Sequence, residues 1–320
     1  MSENTRRLLE LINEGKTASE ISSAMGISSK TLFNYLTMIR NNGFDFDRKY
    51  YDNGEIIYVP KTDISDVHNS VNVITDINST SYTALVISDM HFGSGFEIQG
   101  VMDKIYDFCV MNRIHNIIIT GDILDGMFNK IPPMIPDPSE QIKYFSKIYP
   151  FDKSIINFAL LGNHDYSILK ETGQDFSIFL DSYRHDVVSL GYGCGVLKIK
   201  NDFIGLKHSV KGMFDELIDK SNLLLLGHKH NFKSTISGKV QDIYVPSLSN
   251  LCLYKDCHRG LPGALLLKIS FVDDVFSTVY VNQLIVLDKI YFVNEIVLSV
   301  PSVKKGDFDN TEDYSKVFKK

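Results

Sequence analysis

Five short apolar runs constrain this chain more than any other feature: TALVIS (83–88), NIIIT (116–120), NFALL (157–161), DFIGLK (202–207) and NLLLLG (222–227). They are too short for buried helices and lack polar alternation, so they read as strands buried on both faces, as in α/β layers covered by helices. Helical spacing near 97–112, 138–148, 174–184 and 210–221 alternates with them. Further β-rich runs follow at VVSLG, GVLKIK, DIYVPS, ALLLKIS, STVYVNQLIVL and NEIVLSV. With 320 residues, 44% of them hydrophobic, the chain has enough apolar mass for one large domain and one small one.

The small domain is expected at residues 1–60. RRLLELINEG places Leu8, Leu9, Leu11 and Ile12 at helical spacing and stops at Gly15. Thr17 and Glu20 form a capping box for a second short helix, and Ser28 caps a third, which ends at Asn41-Asn42-Gly43. FDFDRKYYDNGEIIYVP then alternates around Asp52-Asn53-Gly54, a hairpin signal. Three helices and a hairpin make a winged helix. Residues 61–81 read as a polar linker with some strand character, 82–300 as the large domain, and 301–320 as a polar tail.

Net charge excludes a global attraction to nucleic acid or anionic membrane, since it is −6. The four cysteines (109, 194, 252, 257) form no C-x-x-C pair, so neither a thiolate zinc site nor a disulfide framework is indicated. No secretory signal opens the chain, and no apolar run reaches the roughly 18 residues a membrane span needs. A cytoplasmic protein without membrane contact is expected.

Every one of the five apolar runs ends in groups that bind metals. TALVIS meets Asp89-Met90-His91, NIIIT meets Gly121-Asp122-x-x-Asp125, and NFALL meets Gly162-Asn163-His164-Asp165. DFIGLK meets His208, and NLLLLG ends in Gly227-His228-x-His230. These groups are expected to converge at one carboxyl-end edge of a sheet, with Gly162 letting the backbone turn to aim Asn163. Carboxylate, amide and neutral imidazole donors suit divalent manganese, iron or zinc. Two such ions bridged by a carboxylate can generate hydroxide at neutral pH and clamp an in-line displacement at phosphorus. His68, His115, His185 and His258 fall outside this set.

Together these motifs resemble the calcineurin-like metallophosphoesterases, over about residues 82–300. The resemblance implies a two-sheet sandwich flanked by helices, an α/β fold. It further implies that Asp89, His91 and His230 hold one metal, that Asn163, His208 and His228 hold the other, and that Asp122 bridges both. His164 would protonate the leaving oxygen, with Asp125 orienting its ring. Protein Ser/Thr phosphatases of this family carry Arg after the second Asp and Glu after GNH. Gly126 and Asp165 stand there instead, which resembles the diesterase and nuclease branch.

Residues 1–60 resemble bacterial winged helix-turn-helix domains. Ser28, Ser29, Lys30, Thr31, Asn34 and Arg40 would then face DNA from the third helix. The module holds seven Lys/Arg against eight Asp/Glu, so a protein-contact role stays open beside DNA binding. The expected function is a manganese-dependent phosphodiesterase of nuclease type acting by hydroxide attack with His164 as general acid. The alternatives are a hydrolase of small cyclic or dinucleotides, and a DNA-binding regulator whose phosphoesterase domain senses a ligand.

Overall fold

The computed structural model describes residues 3–41, 46–51, 55–60, 72–75, 79–127, 131–210, 218, 221–237, 240–250 and 260–300. The turn expected at 52–54, most of the helix expected near 210–221, the tail from 301, and His68 and His258 lie outside the described residues.

The N-terminal sixty residues form helices α1 (Glu3–Asn13), α2 (Ala18–Met25) and α3 (Ser29–Asn41), then strands β1 (Phe46–Tyr51) and β2 (Ile56–Pro60), paired antiparallel. Their boundaries follow local chemistry. Thr17 Oγ1 accepts the Glu20 N–H at 3.2 Å while Glu20 Oε2 accepts the Thr17 N–H at 2.8 Å, and Gly26 closes α2 in the left-handed region at φ 63°.

The stretch read as a linker contributes a strand, β3 (Asn72–Thr75). It lies between β1 and β8 (Cys194–Ile199) and is parallel to both. The hairpin is thereby sewn into an eight-stranded sheet. Its other members are β9 (Asp202–Lys207), β10 (Leu223–Leu226), β11 (Lys233–Ser237) and β12 (Val240–Tyr244), and its order is β11-β12-β10-β9-β8-β3-β1-β2.

A second sheet has seven strands, in the order β15-β14-β13-β4-β5-β6-β7. Its parallel half is β4 (Ser81–Ile87), β5 (Asn116–Thr120), β6 (Ile156–Leu161) and β7 (Val187–Tyr192). The antiparallel half is β13 (Gly263–Val272), β14 (Val275–Val286) and β15 (Ile290–Ser299).

Alternation along each strand divides the apolar side chains between two layers. Ala84, Val86, Ile118, Phe158 and Leu160 meet Leu197, Ile204, Leu206 and Leu225 of the other sheet, forming the sandwich core. Leu8, Ile12, Leu32 and Tyr58 of the N-terminal helices and hairpin belong to that same core. The opposite residues, Leu85, Ile87, Ile117, Ile119 and Leu161, pack under α4 (Val101–Met111), α5 (Pro138–Ile148), α6 (Asn163–Thr172) and α7 (Phe176–Tyr183). Both β5 and β6 are buried along their whole length, as continuous apolar strands in an α/β layer must be.

Helix α6 was not anticipated. The sequence places the next helix near 174–184, yet Asn163 and His164 are the first two residues of a helix. Asp165 organises its start and Gly173, at φ 75°, ends it.

Candidate metal centre

The loops that follow β4, β5, β6, β9 and β10 meet in one place. Three come from one sheet and two from the other, so the site lies where the carboxyl ends of two sheets meet; the expectation of a single sheet edge is corrected. Backbone hydrogen bonds lash the loops together beyond the strands. The Asp89, His91 and Phe92 N–H groups donate to the Gly121, Asp122 and Ile123 carbonyls at 2.9, 3.2 and 2.8 Å. The Gly193 N–H donates to Leu161 O, the His208 N–H to Gly193 O, and the Gly227 N–H to Lys207 O.

Strain is concentrated here. Asp89, His91, Asp122, His228 and His230 all have φ between 51° and 76°, a region that costs side chains of L-residues energy and persists only where the surroundings enforce it. Glycines supply space beside them. A Cβ on Gly227 would stand 2.5 Å from His208 Nδ1, and one on Gly162 would stand 2.6 Å from the Asp122 backbone nitrogen and collide with Asp122 Oδ1. Gly162 itself has φ −91° and ψ −169°, an extended conformation open to any residue. Its role is therefore room for Asp122, which corrects the expectation that it allows a special turn.

At Asp89 and Asp122 one carboxylate oxygen is committed to donors and the other faces imidazole nitrogens. Asp122 Oδ1 accepts the His164 N–H at 2.8 Å, while Oδ2 lies 3.0 Å from His208 Nε2 and 4.0 Å from both His91 Nε2 and His164 Nε2. Asp89 Oδ2 accepts from Ser88 and from the His228 N–H, while Oδ1 lies 3.0 Å from His230 Nε2 and 3.9 Å from His91 Nε2 and His208 Nε2. The His208 Nδ1–H donates to Thr120 O at 2.6 Å, which turns Nε2 inward.

Buried polar atoms normally have partners, yet Asp89 Oδ1, His91 Nε2, Asn163 Oδ1 and His208 Nε2 have no hydrogen-bond partner. Four inward-facing orphans of ligating type fit divalent cations. Ligand atoms cluster accordingly, into Asp89/His91/His230, Asp122/His208/His228 and His91/Asp122/His164, each within 4.8 Å. Asp122 and His91 each belong to two of these groups. Asn163 lies beside them with its amide oxygen unsatisfied.

Electrostatics point the same way. Burial alone would raise Asp89, but His230 and His208 overcome it and hold the carboxyl at about 2. For Asp122, burial is likewise outweighed, by His208, His164 and His91, and its pKa falls well below the usual range. Burial opposes charge on His208, yet Asp122 and Asp89 raise its pKa to about 10. The carboxylates that draw positive charge onto this imidazole also favour a cation between them.

Asp125 meets the His164 ring through its main chain. Its carboxylate lies 3.3 Å from His91 Nδ1, and it is the Asp125 backbone carbonyl that accepts the His164 Nδ1–H, at 2.5 Å. The local cause is the tie between the Asp125 N–H and Phe92 O, which sets this residue beside the His91 loop. His164 is more open than His91 and His208, with a fifth of its side chain (21%) exposed where theirs are fully buried.

Two contributors have roles that the sequence did not assign. Asp165, fully buried, accepts the N–H groups of Gly162, Ile123 and Leu124 at 2.8, 3.2 and 2.8 Å, and so bolts the GNHD turn to the GDIL loop. Burial and Asp122 push its pKa up to about 7 against the pull of those three donors. The signal was its place as third residue of α6, where an acidic side chain caps. Ser88 is the other, hidden by being one of many serines.

Gln141 anchors the segment that carries Pro132, Pro133 and Pro136. Its amide bonds Gly126 N and O and Ile135 O, while the Ile135 N–H donates to Gly93 O. Of the histidines left out of the set, His115 bonds Ser154 O through Nδ1 near the amino end of β6, away from the cluster.

Among the residues expected to face DNA, Ser28 and Thr31 cap α3: the Thr31 N–H donates to Ser28 Oγ at 3.2 Å. Asn34 is exposed, and the side chains of Ser29, Lys30 and Arg40 lie outside the described residues. Among the described residues no helix is long and apolar enough to cross a membrane.

Two sheets whose strand ends present carboxylates, an amide and imidazoles around shared open oxygens define a metal-dependent hydrolase site. The chain belongs to the calcineurin-like phosphoesterases, whose sequence profile matches residues 82–247, just over half of it. Comparison with curated proteins finds no match. Among solved structures it is similar to YfcE, a phosphoesterase from E. coli, at 14% identity over 68% of this chain and 100% of that one, with TM-score 0.43. It is also similar to wild-type Vps29 complexed with zinc from Entamoeba histolytica, at 17% identity over 68% of this chain and 99% of that one, with TM-score 0.39.

Proposed function

We propose that this protein hydrolyses phosphodiesters with two divalent cations, manganese by preference, and that nucleic acid is its substrate class. The observation that carries the reading is the pair of open carboxylate oxygens, Asp89 Oδ1 and Asp122 Oδ2, set among five imidazoles and the Asn163 amide. Asp89, His91 and His230 would hold one ion, Asn163, His208 and His228 the other, and Asp122 both. When bound, such a pair supplies Lewis acidity to the phosphoryl oxygens and lowers the pKa of water.

The remaining work falls to the chain. The His164 Nδ1–H is fixed on a backbone carbonyl, which can only accept, so the ring is held with Nε2 toward the reacting centre. In its protonated form Nε2 delivers a proton to the leaving oxygen. The amino end of α6 turns its positive dipole toward Asp122, and its His164 N–H donates there. Gly126, where the protein phosphatases carry Arg, leaves the monoester dianion without that guanidinium partner, which favours diesters.

A winged-helix reading of α1–α3 with β1 and β2 supplies a module for holding DNA, packed toward the amino ends of β6 and β7 rather than beside the cluster. Its balance of seven basic to eight acidic residues favours a second reading, a small nucleotide diester as substrate with the module in a regulatory role. The test is manganese-dependent hydrolysis of bis(p-nitrophenyl) phosphate against the monoester, with labelled single- and double-stranded DNA in parallel. Cleavage of diester and DNA supports the nuclease, diester cleavage with intact DNA supports the small nucleotide, and hydrolysis of the monoester alone contradicts both.

A further inference from the structure

Aspartate's terminal torsion is broad and nearly two-fold, so nothing intrinsic decides which oxygen a carboxylate presents. At Asp89 two donors decide it. Oδ2 takes the Ser88 hydroxyl at 2.5 Å and the His228 N–H at 3.1 Å. Oδ1 takes no hydrogen bond although the residue is completely buried, and it faces His230, His91 and His208.

The Ser88 hydroxyl is itself built in. The residue is fully buried, its carbonyl accepts the Leu248 N–H at 2.9 Å, and Gly227 leaves room for it, since a Cβ there would stand 2.6 Å from Oγ. Ser247 holds the same ligand from another side, its hydroxyl donating to Asp89 O at 2.9 Å, which steadies the left-handed backbone. Ser88 therefore acts on the carboxylate and Ser247 on the main chain.

From this geometry we infer that Ser88 is a positioning residue, which ties down Asp89 Oδ2 so that Oδ1 alone is offered to the metal shared with His91 and His230. The inference rests on the two-metal reading above. Partners of ligands in this position typically govern metal affinity by 10- to 100-fold, roughly. Ser88→Ala leaves only the His228 N–H on Oδ2, so one of two manganese sites should weaken by about that factor while the other, built on Asp122, His208 and His228, changes little.

The experiment is calorimetric titration of Mn²⁺ into the full chain after chelator treatment, for wild type, Ser88→Ala and Ser88→Thr, with the metal-free Tm of each measured alongside. The expected result is two sites in wild type, selective weakening of one in Ser88→Ala at nearly unchanged metal-free Tm, and recovery in Ser88→Thr, which keeps the hydroxyl. Two unchanged sites in Ser88→Ala overturn the role of Ser88 and leave the metal reading standing. Equal weakening of both sites with a lowered metal-free Tm also overturns it, since that describes a packing residue. Wild type that binds no Mn²⁺ overturns both.

Discussion

Gly162→Ala separates the demand for space at this site from the demand for backbone freedom. The backbone at 162 (φ −91°, ψ −169°) accepts alanine without strain. The added methyl, however, would stand 2.6 Å from the Asp122 nitrogen and 2.8 Å from His208 Cδ2, and would overlap Asp122 Oδ1. None of these is the end of a flexible chain: Asp122 is pinned by its ladder partner and by the His164 N–H, and His208 by Thr120 O. Overpacking in such a place costs about 3 kcal/mol, the upper end of the usual range. For a chain of this size that lowers Tm by roughly 5 °C or somewhat more. Displacing the shared carboxylate should also abolish binding of at least one Mn²⁺. Gly173→Ala is the control, because a Cβ there meets nothing within 4 Å while φ is 75°. It should cost about 1 kcal/mol from left-handed strain and leave metal binding intact. Differential scanning fluorimetry with Mn²⁺ titration reads both. If Gly162→Ala binds two ions and melts with wild type, the close packing of Asp122 against this turn is not what shapes the site.

His164→Ala should keep its metals and lose about a hundredfold or more in turnover of the diester, as for a missing general acid, and unchanged turnover removes His164 from the mechanism. Asp165→Asn puts an amide where three N–H groups need acceptors, so chemical denaturation should show a loss of about 2 to 4 kcal/mol, and a stability equal to wild type would discount the bolt between the two loops. Removing residues 1–60 strips β1 from β3 and opens the shared core, so the remainder should be insoluble or unfold well below the full chain. A soluble fragment with full diesterase activity would instead show a separable module.

The candidate ligands were legible because they follow the ends of short apolar strands, a position read from order alone. What was not legible is what three-dimensional contact decides. Asn163 and His164 begin a helix that their polar character disguised, and Asp165 at its start also binds a loop 41 and 42 residues away in sequence. The strand at Asn72–Thr75 gains its identity from neighbours β1 and β8, far apart in the chain, and its four residues are too few for periodicity to mark. Spacing sets Asp125 beside His164, but whether its carboxylate or its carbonyl meets the ring depends on a backbone tie to Phe92 that no spacing reveals. Nor does spacing tell that the five strands divide between two sheets.

The central claim is that Asp122 joins two metal positions into one hydrolytic centre, and the most direct measurement is the number of Mn²⁺ ions bound per chain in wild type and Asp122→Asn. Two ions in wild type, with both positions weakened together by this one substitution and diester hydrolysis lost with them, is the predicted result. A single ion in wild type, or two ions retained at full affinity in Asp122→Asn, would contradict the shared bridge.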